Sequence, residues 1–402
     1  MPTILFDLLT TQPSRSSQVH GGGVYGQRVF LSLVDQIEAH ANKVSLSVAW
    51  NPSAPLPQAI QERLEQIDIE RNHVNDYREL LQLVRSARTD RFYTPVVDWM
   101  FGRGDLNLLN GIDIRATIHQ LRPLDAPGDQ YARILQPSAA KRFYRLLKDG
   151  GAHRQRKTKH RQIGKTLAFI DAPILTVSNH SKFQILTEFP FIYPENIVVA
   201  DSPISPQKTA FADDTDLPAS LRNSDFLLML NSNRGAKNAV RVVKAVHDYE
   251  PRALREYKVV LCGIRKDQFT VLMRKFPRAR PYFEMLPSLE QPVLNLVMAR
   301  AKGLLYPSIS EGFGYPPLEA MGLGTPVLAS PITSISEIVG DAALYLDPWS
   351  PNEIAYRLNQ FVLDHALRRQ LVERGYRRIQ MYRDRQDEMD SRIVRALIGD
   401  WL

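Results

Sequence analysis

Residues 306–347 read YPSISEGFGYPPLEAMGLGTPVLASPITSISEIVGDAALYLD. The apolar run GLLYPS, ending at Ser308, is a strand, and PVLAS from Pro326 to Ser330 is the next. Between them Gly312 and Gly314 loosen the backbone around Phe313 just after Glu311. Pro316 and Pro317 then open a short helix, at the position where a missing N–H costs least. Glu319 lies in its first turn or so, with seven residues separating it from Glu311. Strand, turn, helix and strand in this order make a parallel unit. Its turn sits at the carboxyl ends of the strands, where open α/β sheets bind ligands.

The same alternation extends in both directions. TILFDLL, KVSLSVAW, DIRATIH, APILTVS and NIVVA read as strands in the first half, with PQAIQERLEQI and NHSKFQILTEF as helices. Val29, Phe30, Leu33, Val34 and Ile37 form the apolar stripe of a further helix. From Asp201 to Asn223 the pattern breaks into prolines and small polar residues, the best linker in the chain. It restarts with DFLLML (strand), KNAVRVVKAVHDY (helix), YKVVLCGI (strand) and LNLVMARA (helix), and from Pro351 onward it is helical and charge-dense. Strands alternating with helices predict parallel sheets covered on both faces. The fold class expected is α/β, with two Rossmann-like domains facing a central cleft.

At 402 residues the chain is too long for one ordinary core. No apolar run reaches the length of a membrane span, and MPTILFDLLTTQP reads as a first strand, not a signal peptide. The single cysteine, Cys262, ends an apolar strand, which excludes a disulfide framework and fits a reducing compartment. Net charge is +8, and the stretch Lys141–Lys165 holds ten bases against Asp149 alone, so the rest of the chain is close to neutral. Such a stretch is a solvated loop or a contact with an anionic surface, lipid headgroups or a polyanionic acceptor. Stacking aromatics beyond Phe143 and Tyr144 are lacking, which disfavours nucleic acid.

Two glycine-rich turns invite chemistry. HGGGVYG, His20–Gly26, lies between a strand and a helix, and Gly21, Gly22 and Gly23 let the backbone approach a ligand at a helix end that suits a phosphate. It is neither a dinucleotide fingerprint nor a P-loop. In the turn after GLLYPS, the carboxylates of Glu311 and Glu319 suit sugar and ribose hydroxyls, and the helix start suits a diphosphate.

The string E-G-F-G-Y-P-P-L-E-A-M-G-L-G-T-P-V resembles the donor-binding signature of glycosyltransferase family 4, retaining enzymes of the GT-B fold, many of them mannosyltransferases. By this resemblance Glu311 contacts hydroxyls of the transferred sugar, Glu319 the nucleotide ribose, and the backbone of Gly312, Phe313 and Gly314 frames the sugar. ATIHQLRPL is similar to the family's acceptor-side motif, which gives His119 a place near the reacting centre, with Gln120 where the family has Asp. LTVSNHSKFQI is similar to its strand-Ser-x-x-Ser-helix segment. NSNRGAKNAVRVVKAV is similar to its basic motif, in which an Arg and a Lys bind the diphosphate. Lys237 and Asn238 match, Ala236 stands in place of the Arg, and Arg234 is two residues earlier.

The resemblance implies an acceptor domain over 1–205, a nucleotide-sugar domain over 206–380, and a helix over 381–402 crossing back to the first. It implies same-face transfer of a hexosyl residue, with mannose from GDP-mannose the first choice and UDP- or dTDP-sugars the others. The acceptor would be a glycan or lipid-linked oligosaccharide of cell-surface polysaccharide assembly. No cofactor and no metal are expected, because basic side chains can stabilise the leaving group. The sequence Asp214-Thr215-Asp216 lies in the linker and reads as surface charge. The expected location is cytoplasmic, with attachment to the inner membrane face through Lys141–Lys165. The rivals are a GT-B nucleotide-sugar epimerase, a glycan phosphorylase, which chain length disfavours, and a catalytically silent partner subunit, favoured by Ala236 and Gln120.

Overall fold

Short apolar runs dominate the strands, as burial on both faces of a sheet requires. In a computed structural model of the chain, residues 1–13, 21–40, 43–87, 89–103, 105–125, 131, 134–135, 152–204 and 212–402 are described. They form two units. The first comprises Met1–Leu121, Lys157–Pro203 and Arg385–Leu402, and the second Arg122–Arg156 and Ile204–Asp384. The described residues of 122–156, a segment expected in the first domain, therefore group with the second unit.

The first unit holds seven parallel strands: β1 (Thr3–Asp7), β2 (Ser45–Trp50), β3 (Glu70–His73), β4 (Arg91–Thr94), β5 (Asp113–Ile118), β6 (Ile174–Thr176) and β7 (Ile197–Val199). Their order is β3-β2-β1-β4-β5-β6-β7. The second holds six: β8 (Asp225–Met229), β9 (Tyr257–Cys262), β10 (Phe283–Leu286), β11 (Gly303–Tyr306), β12 (Val327–Ala329) and β13 (Ala343–Tyr345), ordered β10-β9-β8-β11-β12-β13. Both are doubly wound. The chain reverses its direction of travel between β1 and β4 in one sheet and between β8 and β11 in the other.

Helix starts follow local chemistry. Asp76 accepts hydrogen bonds from the N–H groups of Arg78 at 2.7 Å and Glu79 at 3.0 Å, capping Tyr77–Ser86. Ser178 caps Asn179–Glu188, and Ser350, followed by Pro351, caps Pro351–Leu363. The glycines of the first turn depart from the expectation of a loop. The helix begins at Gly21 and runs to Ala39, so Gly22 and Gly23 lie in its first turn without a left-handed backbone. A first turn lacks intrahelical donors' partners in any case, so the weak helix propensity of glycine costs little there. His20 lies outside the described residues.

The carboxyl-terminal residues are anchored in the first unit by Arg91. Its guanidinium is 2% exposed, donates to Asp113 at 2.7 Å and to Asp400 at 2.8 and 2.9 Å, and lies 4.0 Å from the Trp401 ring. Cys262 is buried at the end of β9, and burial pushes its thiol up to about 11, out of the reactive range. Asp214 lies in a 3-10 turn on the surface, paired with Arg300.

Asp7, the last residue of β1, is fully buried. It accepts hydrogen bonds from the Leu9 N–H at 2.9 Å and the Thr94 hydroxyl at 2.8 Å, and burial pushes its carboxyl up to about 7. The unfolded chain releases this proton near the ordinary value and the folded chain holds it to near 7. Stability is therefore lost as pH rises through that window, by on the order of 4 kcal/mol. Asp7→Asn, which removes the titrating proton and keeps one acceptor oxygen for the Leu9 N–H, is expected to flatten the profile between pH 4 and 8. Denaturant unfolding at a series of pH values checks this, and an unchanged slope would refute it.

Candidate functional site

The second unit's reversal point brings two turns together. After β8 the chain makes a 3-10 turn, Gly235–Lys237, before the helix Ala239–Tyr249; after β11 it runs through Ser308–Gly314 into the helix Tyr315–Gly322. Asn238 joins them. With φ of 66° it ends the turn and starts the helix, and its side-chain amide donates to the Pro307 carbonyl at 3.2 Å and the Pro348 carbonyl at 2.6 Å. The Ile309 N–H donates to the Ala236 carbonyl at 2.8 Å, and the Ser308 hydroxyl to the same oxygen at 3.0 Å. These bonds fix the loop bearing Lys237 against the loop bearing Glu311.

Between them lies an ion pair. The Lys237 ammonium contacts the Glu311 carboxylate and donates to the Tyr306 hydroxyl at 2.9 Å; the Ser308 hydroxyl also reaches Glu311. The pair is largely withdrawn from water, its side chains 9% and 14% exposed. Burial pushes the Lys237 ammonium below its ordinary value, opposed by Glu311, and the charges of Arg234 and Arg122 add to the downward push. For Glu311 burial alone would raise the carboxyl. The Lys237 charge, with hydrogen bonds from Lys237, Ser308 and Tyr306, outweighs it, and Glu311 titrates below its usual range. Buried Lys237 thus departs from the solvated helix-start lysine of an ordinary sequence.

The rest of the turn is held from below. The Glu311 N–H donates to the Thr333 hydroxyl at 3.2 Å, and the Ser334 hydroxyl lies 3.0 Å from the Glu311 carbonyl and 3.1 Å from that of Phe313. Phe313 is buried edge-on against Tyr315 and Tyr382, so only its backbone is offered to a ligand. Gly314 caps the helix at φ of 117°, a conformation that needs glycine. Glu319 is exposed on that helix, close enough for its charge to act on Tyr306. Arg234, at the start of the 3-10 turn, is exposed, and its guanidinium makes no hydrogen bond or ion pair with any described residue.

In the first unit His119 follows β5. Its Nε2 lies 2.9 Å from the Pro95 carbonyl, which assigns the proton to that nitrogen. The Ser181 hydroxyl donates to the His119 carbonyl at 2.8 Å, and the Tyr25 ring stands edge-on at 4.8 Å. Tyr25 and Tyr93 hydroxyls meet Thr117 at 3.1 and 2.8 Å. A side chain at Gly26 would come within 2.8 Å of the Pro95 ring, so this glycine lets the helix Gly21–Ala39 close on the residue that holds His119. The oxygen of the Gln120 amide is buried with no hydrogen-bond partner among the described residues. Ser181, Tyr25 and Pro95 escaped the sequence reading. The signal available was the Ser-x-x-Ser spacing, one member capping the helix and the other fixing His119.

Sequence reasoning also missed Tyr306, Ser308 and the residues Arg122 and Asp125, whose carboxylate accepts from the Ser310 hydroxyl. No group of three or more His, Cys, Asp or Glu side chains suited to a metal ion occurs among the described residues. No helix among them is long and apolar enough to cross a membrane.

The family model described as glycosyl transferases group 1 matches residues 215–378. O-antigen chain mannosyltransferase B of Escherichia coli is 30% identical over 212 residues, 50% of this chain and 54% of that protein. The chain thus spans about half the length of that relative. Among solved structures, sucrose-phosphate synthase from Thermosynechococcus elongatus is 16% identical, with a TM-score of 0.64 and full coverage of both chains. The Anabaena protein HepE, solved with UDP and glucose, is 14% identical with a TM-score of 0.64, covering 99% of this chain and all of that one. At such identities the structures bear on the fold alone, and the fold is GT-B. The fold is thus that of GT-B, and within the second unit residues 215–378 are similar to the glycosyl transferases group 1 family.

Proposed function

We propose that the chain is a retaining, metal-independent hexosyltransferase that moves mannose from GDP-mannose to a glycan or lipid-linked acceptor in cell-surface polysaccharide assembly. The observation that carries this is the desolvated Lys237–Glu311 pair at the reversal between β8 and β11, set in an excess of positive charge. The mannosyl donor draws on the name of the Escherichia coli relative.

In this reading the bond from the anomeric carbon to the diphosphate oxygen breaks as the bond to the acceptor oxygen forms on the same face. The acceptor proton passes to an oxygen of the leaving diphosphate. Lys237 and Arg234 receive the developing negative charge, the task for which preorganised cations in a water-poor site are suited. Glu311 is held ionised by Lys237 and Ser308, so it accepts hydrogen bonds from sugar hydroxyls and donates none. Glu319 takes the ribose, and the backbone of Gly312, Phe313 and Gly314 frames the sugar. On the acceptor side His119 is fixed in one tautomer by Pro95. Gln120 offers an amide oxygen that lacks a donor, a deficit of about 1–3 kcal/mol that an acceptor hydroxyl would relieve. Gly22 and Gly23, in the first turn of their helix, would offer backbone to the acceptor.

Thermal unfolding with GDP, UDP, dTDP and ADP tests the donor site. A ligand at about 100 times its dissociation constant adds roughly 2.7 kcal/mol, several degrees for a chain of this size. A shift with GDP, lost in Glu319→Ala, is expected. No shift with any of the four in folded protein would turn the assignment to the silent partner subunit, the second reading that Ala236 and Gln120 favour; donor turnover without acceptor would turn it to the epimerase.

We further propose peripheral attachment to an anionic membrane face through Lys141–Lys165. Residues 141–151 of this stretch lie outside the described residues. Beyond them the helix Ala152–Leu167 exposes Lys157, Arg161 and Lys165 at four-residue spacing, one cationic line along it. Sedimentation with anionic vesicles should fall steeply with salt. Binding indifferent to salt or to lipid charge would overturn the assignment.

A further inference from the structure

Part of the second unit comes from far outside the family match. Arg122–Asp125 forms a single helical turn, and the Asp125 carboxylate accepts from Ser310, the residue before Glu311. Further along, the Arg241 guanidinium lies between the rings of Tyr131 at 4.3 Å and Trp349 at 4.7 Å. The Gln268 amide donates to the Leu135 carbonyl at 3.0 Å. Leu135 itself is 4% exposed and packs into the second unit's core, with Tyr131 and Ile134 against its edge. Each described part of 122–135 is thus fastened to the second unit: a hydrogen bond beside the site, a cation–π sandwich, a backbone bond and a buried apolar side chain.

The first of these anchors determines where Arg122 stands. It opens the turn whose last residue holds Ser310, which puts it beside the loop that carries Glu311. Its charge depresses the ionisation of both Arg234 and Lys237, which places all three cations in one field. Like Arg234, Arg122 is exposed and its guanidinium has no hydrogen-bond or ion-pair partner among the described residues.

Charge counting then decides the matter. Lys237 is neutralised by Glu311, so the pair brings no net charge to a ligand, whereas the diphosphate of a nucleotide sugar is a dianion. Ala236 supplies nothing. Two unpaired guanidinium forks supply the missing charge in the geometry that phosphate oxygens accept. We propose that Arg122 is a phosphate-binding residue of the donor site, delivered by a segment docked on the second unit and acting with Arg234 on the diphosphate. This rests on the nucleotide-sugar reading above. Asp125 is then a positioning residue, acting through the turn it ties to Ser310.

Calorimetric titration of the full chain with GDP and with guanosine tests this. Arg122→Gln is expected to weaken GDP at least tenfold and leave guanosine unchanged. Arg122→Lys should recover part of the loss, and Asp125→Ala should weaken GDP with Arg122 intact. An Arg122→Gln protein that is folded by circular dichroism and binds GDP within twofold of the parent would overturn the proposal and leave the donor site standing. Equal loss of GDP and guanosine would assign Arg122 a structural role and overturn it as well. A parent chain that binds none of GDP, UDP or dTDP would bring down the nucleotide-sugar reading itself, and this proposal with it.

Discussion

The ion pair between Lys237 and Glu311 is the constraint around which the second unit is organised. Withdrawing two charges from water costs several kcal/mol each, and their attraction repays this only when the geometry is tight and the remaining valences are filled. Here they are filled: Tyr306 and Ser308 complete the pair, and Asn238 ties the two backbones together. An apolar pair of the same volume would serve stability at least as well. A sequence that keeps Lys, Glu, Tyr and Ser at this point keeps them for charge. The position follows from topology, because the reversal between β8 and β11 is where two turns diverge from adjacent strands and leave room for a ligand.

The first unit repeats the topology with different chemistry. Its reversal, between β1 and β4, is closed by Asp7 and Thr94, a buried acid whose hydrogen bonds are local and whose burial favours the protonated form. The groups that donate to it, the Leu9 N–H and the Thr94 hydroxyl, are neutral and do not hold it ionised. His119 stands one strand further on, fixed through Pro95 and Ser181. One unit thus presents net positive charge, and the other an imidazole whose Nε2 donates to the Pro95 carbonyl. The function proposed above, with a polyanionic donor and a hydroxyl-bearing acceptor, calls for that division between two sheets of like topology.

Much of this was legible in the sequence, and the exceptions share a cause. The runs FLLM, KVVLC and GLLY announce strands because burial on both faces demands continuous apolar residues. β3, with the sequence ERNH, is an edge strand almost wholly exposed and carries no such signal. β4 is central yet contains Arg91, whose burial depends on Asp113 and Asp400, the latter more than 300 residues away. Tertiary pairing of that kind has no local trace. Within the site, Glu311, Lys237 and Gly314 follow from motif and spacing, whereas the ion pair joining the first two is a long-range contact that neither segment reveals alone. The glycines at 22 and 23 were misplaced because a glycine run reads as a loop, although a helix's first turn tolerates it equally.

Arg122 and Gln120 show how far the local pattern has been reworked. In the resemblance, one Arg beside Lys237 and one Asp after His119 do the work; this chain has Ala236 and Gln120 instead. Had the site simply decayed, its surroundings would relax, since nothing would maintain a desolvated ion pair or two uncompensated guanidinium groups at one point. Arg122 and Arg234 instead act on Lys237 through their charges, and the segment bearing Arg122 is fastened by Asp125, Tyr131 and Leu135 to the second unit. Gathering like charges is unfavourable until an anion arrives, so their placement opposes folding and favours binding. In the function proposed above, that cost in the empty protein is recovered when the anion binds, which would separate a rearranged site from a vestige.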